Sequence, residues 1–301
     1  MTLPERLFGE DGRYLWDHFL HFLKVYDATS SVIRTPEDYR DVTYEYLASC
    51  AEEGVIYVEV SSSPDHAAAN GMSYGDHVEG IVAGIEDARD QFGIEGRLIV
   101  TCVRHFGVER SMEVARQVVD EPHPLVTGFG MGGDEAGHPP GQFSRVFQYV
   151  ADSGLPCTVH AGEWAGPDGI REAIETLPVT RLGHGIRVIE DRALLSEVIS
   201  RGITLEVCPG SNLATGIYPD YASHPVADLI AAGAKVTLSS DDPPYFATSI
   251  GKEYDDAGTH LGMDADAQIA ITRNAIEAAF VDEPTRAKLM TRLDDAANET
   301  G

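Results

Sequence analysis

Short runs of apolar and β-branched residues alternate with longer segments of helical periodicity along almost the whole chain, and this alternation limits the possible folds more sharply than any other feature. The runs at 55–60, 97–103, 125–129, 156–160, 180–183, 204–208 and 235–239 read as strands. Between them, 74–92, 111–119, 142–152, 166–175, 191–201 and 226–232 carry helical spacing. A further helix at 36–52 precedes the first strand, and two more, at 264–280 and 283–294, follow the last. Strand and helix in this rhythm require parallel strands joined by crossovers and a sheet buried on both faces, so the class is α/β. A doubly wound sheet and a closed barrel both produce it. A barrel needs eight strands in about 250 residues or more, and here 301 residues supply seven. No linker, repeat or low-complexity stretch divides the chain, which reads as one domain over 1–301.

The charge bears on partners. With 49 acidic and 22 basic side chains the formal net charge is −27, a surface that repels phosphate backbones and anionic lipid and suits a small neutral or cationic substrate. Nucleic acid and membrane are therefore excluded as main partners. Only four of the basic residues are lysines (Lys24, Lys235, Lys252, Lys288), and this scarcity beside abundant aspartate points to a salt-rich setting. No apolar run approaches the roughly 18 residues needed to span a bilayer, and the opening residues lack a signal peptide's basic and apolar regions, which predicts a soluble cytoplasmic protein. Cys50, Cys102, Cys157 and Cys208 are far apart and read as buried reduced thiols.

Reactive side chains collect where strands end, which is where parallel α/β proteins assemble their sites. The fourth run leads into His160-Ala161-Gly162-Glu163, the fifth into His184-Gly185, and the seventh into Asp241-Asp242-Pro243-Pro244, where the prolines stop the strand. The third leads into Gly130 to Glu135, with exposed backbone N–H groups and two carboxylates. Each has an ordinary explanation alone: a satisfied core histidine, a helix cap, a solvated loop charge. Together, two imidazoles and several carboxylates at successive strand ends would face one another across a barrel mouth. Such a donor set suits a zinc-like ion that activates water, which points to metal-assisted hydrolysis. No Gly-x-Ser-x-Gly elbow, His-Glu-x-x-His helix or P-loop is present, and the absence of a Pro-Cys-x-x-Cys pair excludes the cytidine-deaminase pattern.

These residues resemble the adenosine deaminase family of metal-dependent barrel enzymes, a branch of the amidohydrolases. The resemblance rests on His160-Ala161-Gly162-Glu163, Leu182-Gly183-His184-Gly185, Glu206-Val207-Cys208-Pro209 with Ser211-Asn212 and Thr215-Gly216, and Asp241-Asp242-Pro243. Weaker echoes are Tyr57-Val58-Glu59-Val60 with Ser63-Pro64, Arg104-His105, and Gly133-Asp134-Glu135. It implies a TIM-type (β/α)8 barrel and one zinc ion per chain, held in part by His160 and Asp241, whose activated water attacks C6 of a purine. Glu163 would protonate N1, His184 would orient and deprotonate the water, Asp242 would hydrogen-bond N7, and the backbone of Gly133 would meet N3.

The departures matter as much. Family members carry a His-x-His pair on a first strand, and this chain has none, so two of the family's zinc ligands are not present and the barrel is expected to lack its first strand. His18 and His21 are spaced for a helix and read as surface or packing residues rather than ligands. Met1 thus falls inside the family pattern, and an internal methionine taken as the start is preferred over a true loss. A gap between the first and last strands would expose an edge inviting a second copy. Gly130-Met131-Gly132 stands where adenosine deaminases usually have Asp-Leu-Ala, and Ser61 where an Arg is common. Pro243-Pro244-Tyr245-Phe246 is similar to the adenine-deaminase branch, whereas Leu182 to Gly185 and Thr215-Gly216 look more like the nucleoside branch. The resemblance therefore implies deamination of adenosine or deoxyadenosine in purine salvage. Its alternatives are an adenine or aminodeoxyfutalosine deaminase, or a purine-binding barrel without a metal.

Overall fold

A computed structural model describes residues 7–300. Seven strands, β1 (Tyr57–Ser62), β2 (Glu95–Val103), β3 (Val126–Gly132), β4 (Cys157–Ala161), β5 (Val179–His184), β6 (Thr204–Val207) and β7 (Lys235–Leu238), form one sheet in sequence order. Every adjacent pair is parallel. The sheet curls as a barrel does, with β1 and β7 unpaired to each other among the described residues. This is the seven-stranded barrel with an open seam that the strand tally predicts.

The expected helices form for identifiable reasons. Pro36–Glu52 begins with Pro36 in its first turn and a reciprocal cap, in which Thr35 accepts from the Asp38 N–H and Asp38 accepts from the Thr35 N–H. Tyr74–Phe92 is capped by Ser73 and stopped by Gly93. The helices bury their apolar sides on the outer face of the sheet, where Ile81, Ile85, Val114, Phe147 and Leu194 meet Leu98, Val100, Phe129, Val159, Leu182, Leu205 and Val236, all essentially inaccessible. The four cysteines are buried free thiols, as expected.

Three expectations change. The helix expected over 142–152 is a tight 3-10 turn, Pro140–Phe143, followed by Ser144–Asp152. The helix expected to reach 280 ends at Ala278, because Ala279 turns to an extended backbone and the Phe280 N–H donates to Glu59 on β1 at 2.6 Å. Phe280 is thereby drawn under the sheet, where the Arg181 guanidinium lies 3.4 Å from its ring centre. Finally, Pro243 and Pro244 open a one-turn helix, Pro243–Phe246, since proline tolerates a first turn that needs no N–H.

The inside of the curl is polar. Arg181 on β5 reaches Glu59 on β1 at 2.7 Å and Glu206 on β6 at 2.8 Å, and Thr158 on β4 donates to Glu206 at 2.6 Å. Side chains thus connect β1 to the far strands across the interior although the backbone seam is open.

Candidate active site

Because all strands run the same way, their carboxyl ends share one side, and the side chains singled out from the sequence meet there. His160 lies one residue before the end of β4 and His184 closes β5. The register sets His160 against Gly183, where a Cβ would come within 3.1 Å of the imidazole, so the absent side chain is what admits the ring. The two rings lie 5.2 Å apart. Asp241 follows β7 after two serines. His184 and Asp241 both hold φ at 58°, a left-handed conformation that non-glycine residues adopt at a cost and that clusters at functional sites.

His160, His184 and Asp241 each offer a ligand atom, all within 4.8 Å of one another, and form the one such cluster among the described residues. Its supporting bonds are those of a metal site. The His160 Nδ1–H donates to the Met131 carbonyl at 3.1 Å, which leaves the Nε2 lone pair free, and Ser211 donates to Asp241 Oδ2 at 2.7 Å. Imidazole nitrogen and carboxylate oxygen at this spacing fit a zinc-like ion. His18 and His21 stand apart from the cluster. His18 caps the helix Phe19–Ser30 by accepting from the His21 N–H, and His21 accepts from the Asp17 N–H.

Glu163 is buried, with Oε2 3.6 Å from His184 Nε2, and Asp241 Oδ2 lies at the same distance from that nitrogen. Burial and the neighbouring Asp241, Glu135 and Asp242 carboxylates push the Glu163 carboxyl well above the usual range, against a weaker pull from Arg104. Burial, then the Asp241 charge, likewise raises Asp242. Burial lowers His184 to about 4. Gly133, just past β3, has φ 101° and would place a Cβ 2.5 Å from His105 Nδ1, so only glycine brings the backbone this close to the turn after β2.

Other members of the site had no role legible in the sequence. Glu135, almost fully buried, accepts from the backbone N–H groups of Gly162, Glu163 (3.1 Å) and Trp164 (2.7 Å). Arg104, wholly buried, donates to the carbonyls of His160 at 2.5 Å and His138 at 3.2 Å. The turn bearing His160 and Glu163 is thus held from both sides. Glu135 and Arg104 fall in short motifs visible in the sequence, but their partners are backbone groups, which no residue pattern marks. Tyr26 is the other addition. It sits on Phe19–Ser30, and burial followed by the Asp242 charge pushes its hydroxyl well up. Around it, Phe22 packs on Phe246 at 5.2 Å and Phe19 stacks on Trp164 at 4.6 Å, roofing the strand ends.

Parallel strands curled into a barrel wall, with imidazole and carboxylate donors converging at their carboxyl ends, define a metal-dependent hydrolase of the barrel type. Residues 14–296 match the family described as adenosine deaminase. The chain belongs to this family of metal-dependent deaminases. It is 46% identical over 290 residues to an adenine deaminase of Agrobacterium fabrum, covering 96% of this chain and 89% of that one. An adenine deaminase of Sinorhizobium medicae is 45% identical, with coverages of 94% and 87%. Among solved structures, adenine deaminase from Arthrobacter aurescens superposes with a TM-score of 0.90 at 28% identity, covering 94% of this chain and 86% of its own. A zinc-bound amidohydrolase from Burkhoderia ambifaria does so with a TM-score of 0.85 at 25% identity, covering 92% and 79%. The relatives named here support the adenine alternative over the nucleoside that the resemblance first implied. No helix among the described residues is long and apolar enough to cross a membrane.

Proposed function

We propose that this chain hydrolyses adenine to hypoxanthine and ammonia. The observation that carries the choice of substrate is the 46% identity across 96% of the chain to a protein named adenine deaminase, since the site geometry alone would serve any 6-aminopurine. A zinc-like ion held in part by His160 and Asp241 would supply a polarised water as nucleophile for C6. The protein's own groups do the rest. Glu163, kept protonated by its surroundings, delivers a proton to N1, so the ring accepts the nucleophile at C6 without accumulating negative charge. N7 is an acceptor, and Asp242, also raised, holds the proton needed to donate to it. The backbone at Gly133 approaches N3. The aromatic roof excludes bulk water; of the two protons of the added water, one goes to the C6 amino group, which leaves as ammonia, and the other restores the Glu163 acid, while the oxygen stays on C6.

The test is a substrate panel with zinc-loaded protein, followed by ultraviolet absorbance. Adenine is expected to give the highest kcat/KM, ahead of adenosine, deoxyadenosine and aminodeoxyfutalosine, with one equivalent of zinc per chain. Turnover of adenosine at or above the adenine rate would return the nucleoside reading.

A further inference from the structure

Behind His184, on the side away from the carboxylates, runs a chain of hydrogen bonds whose direction is fixed at its far end. The Val226 backbone N–H donates to His224 Nδ1 at 3.3 Å. A backbone amide can only donate, so this nitrogen must be the lone-pair nitrogen and the proton of a neutral His224 must sit on Nε2. His224 Nε2 lies 3.1 Å from Asn212 Oδ1 and donates to it. That fixes the orientation of the amide, whose Nδ2 then faces His184 Nδ1 at 3.2 Å and donates in turn. His184 Nδ1 accepts, and its proton must lie on Nε2. The reverse direction would require His224 to accept at both nitrogens, which only an imidazolate can do. His184, Asn212 and His224 are all at least 95% buried, so no bulk water substitutes for a member of the chain. The far side of His184 agrees: Nε2 faces Glu163 Oε2 and Asp241 Oδ2, each at 3.6 Å and each able to accept.

We infer that Asn212, set by His224, is a positioning residue that locks His184 as the neutral Nε2–H tautomer. His184 then acts as a hydrogen-bond donor towards the oxygen that adds at C6, rather than as its base or as a metal ligand. A neutral imidazole already protonated on Nε2 has no lone pair to offer there. Instead it stabilises the oxygen where charge develops, the role of an oxyanion-hole donor. The inference rests on the deaminase reading for its catalytic consequence but not for the tautomer. It also gives a function to Ser211-Asn212, neighbours on the helix Pro209–Ala214: the first side chain holds Asp241, the second His184.

The direct test is nitrogen NMR of histidine-labelled protein, zinc-loaded and chelated. In both states His184 is expected to show a pyridine-type Nδ1 and a pyrrole-type Nε2. A pyridine-type or zinc-shifted Nε2, or two pyrrole-type nitrogens, would overturn the inference whatever the substrate proves to be. Two substitutions read the catalytic side. Asn212→Asp can only accept, so it should move the His184 proton to Nδ1 and lower kcat by about 10²–10³-fold, with KM and zinc content nearly unchanged. His224→Leu should lower kcat by about 10–100-fold, and His224→Gln, which still donates to Asn212 Oδ1, should recover most of it. A kcat within threefold in Asn212→Asp, or equal losses in the two His224 variants, would contradict the relay. A protein that turns over no purine but shows the expected nitrogen pattern would sink the substrate reading alone.

Discussion

Burial and the surrounding Asp241 and Glu135 carboxylates keep a proton on Glu163 at a pH where an exposed glutamate would have lost it, and the proposed chemistry consumes that proton at N1. The acid form is the active form, so activity should be retained below the raised pKa and fall as pH climbs through it. A pH–rate profile of the zinc-loaded protein is expected to show this alkaline limb well above the ordinary glutamate value of about 4.3. Glu163→Gln should remove the limb and lower kcat by about 10²–10⁴-fold while zinc stays bound. A variant within tenfold of the parent would remove Glu163 from the reaction. At this scale the sequence was informative about which polar side chains gather at the strand ends, because imidazole and carboxylate types there stand out from an apolar run. It was silent on what holds them. Glu135 and Arg104 work through the N–H and carbonyl groups of residues 160–164 and 138, and backbone groups are the same in every sequence.

The helix Phe19–Ser30 roofs the site, and one carboxylate fastens it. Asp27 accepts from His66 at 2.8 Å and lies 3.5 Å from His105, joining the roof to the helix Pro64–Ala69 and to the turn after β2. Burial alone would raise its pKa, but the hydrogen bonds from His105 and His66 outweigh it and bring Asp27 down to about 2. A depressed carboxylate pKa contributes stability that is complete above the unfolded value of about 3.9 and lost as pH falls towards 2. Asp27→Asn is therefore expected to cost about 1–2 kcal/mol at neutral pH, after screening of a partly exposed pair. Urea unfolding should show the deficit shrinking on acidification, and equal midpoints at pH 7 would refute the latch. Most elements were legible because period and caps are local: 36–52 and 74–92 match their helices end to end. The short helices Pro209–Ala214 and Pro243–Phe246 were not, since one or two turns carry no period. The early end at Ala278 was set by Glu59, more than two hundred residues away in the chain.

For the molecule as a whole, Arg181 is the tie across the curl. Its guanidinium neutralises Glu59 and Glu206, donates to the Ala278 carbonyl at 3.0 Å and covers the Phe280 ring. Arg181→Met would leave two carboxylates facing each other inside the barrel and should destabilise by about 3–5 kcal/mol, measured by thermal or urea unfolding. A loss below about 1 kcal/mol would mean that water already satisfies those carboxylates. The sequence by itself determined the class and the side of the sheet on which chemistry collects, and left the doubly wound and barrel strand orders both open, a choice the structure made. Alternation of apolar periods, parallel crossovers and the common direction of strand ends are local or topological constraints that any packing of the chain must obey. It also determined the net charge of −27. Only the tertiary structure decided which groups share a proton or a lone pair: that His184 is approached by Asn212 from one side and by Glu163 and Asp241 from the other, and that Glu135 reaches the turn after β4. Hydrogen-bond direction and pKa depend on distance and burial, which arise only when strands remote in sequence are brought within a few ångströms and water is removed.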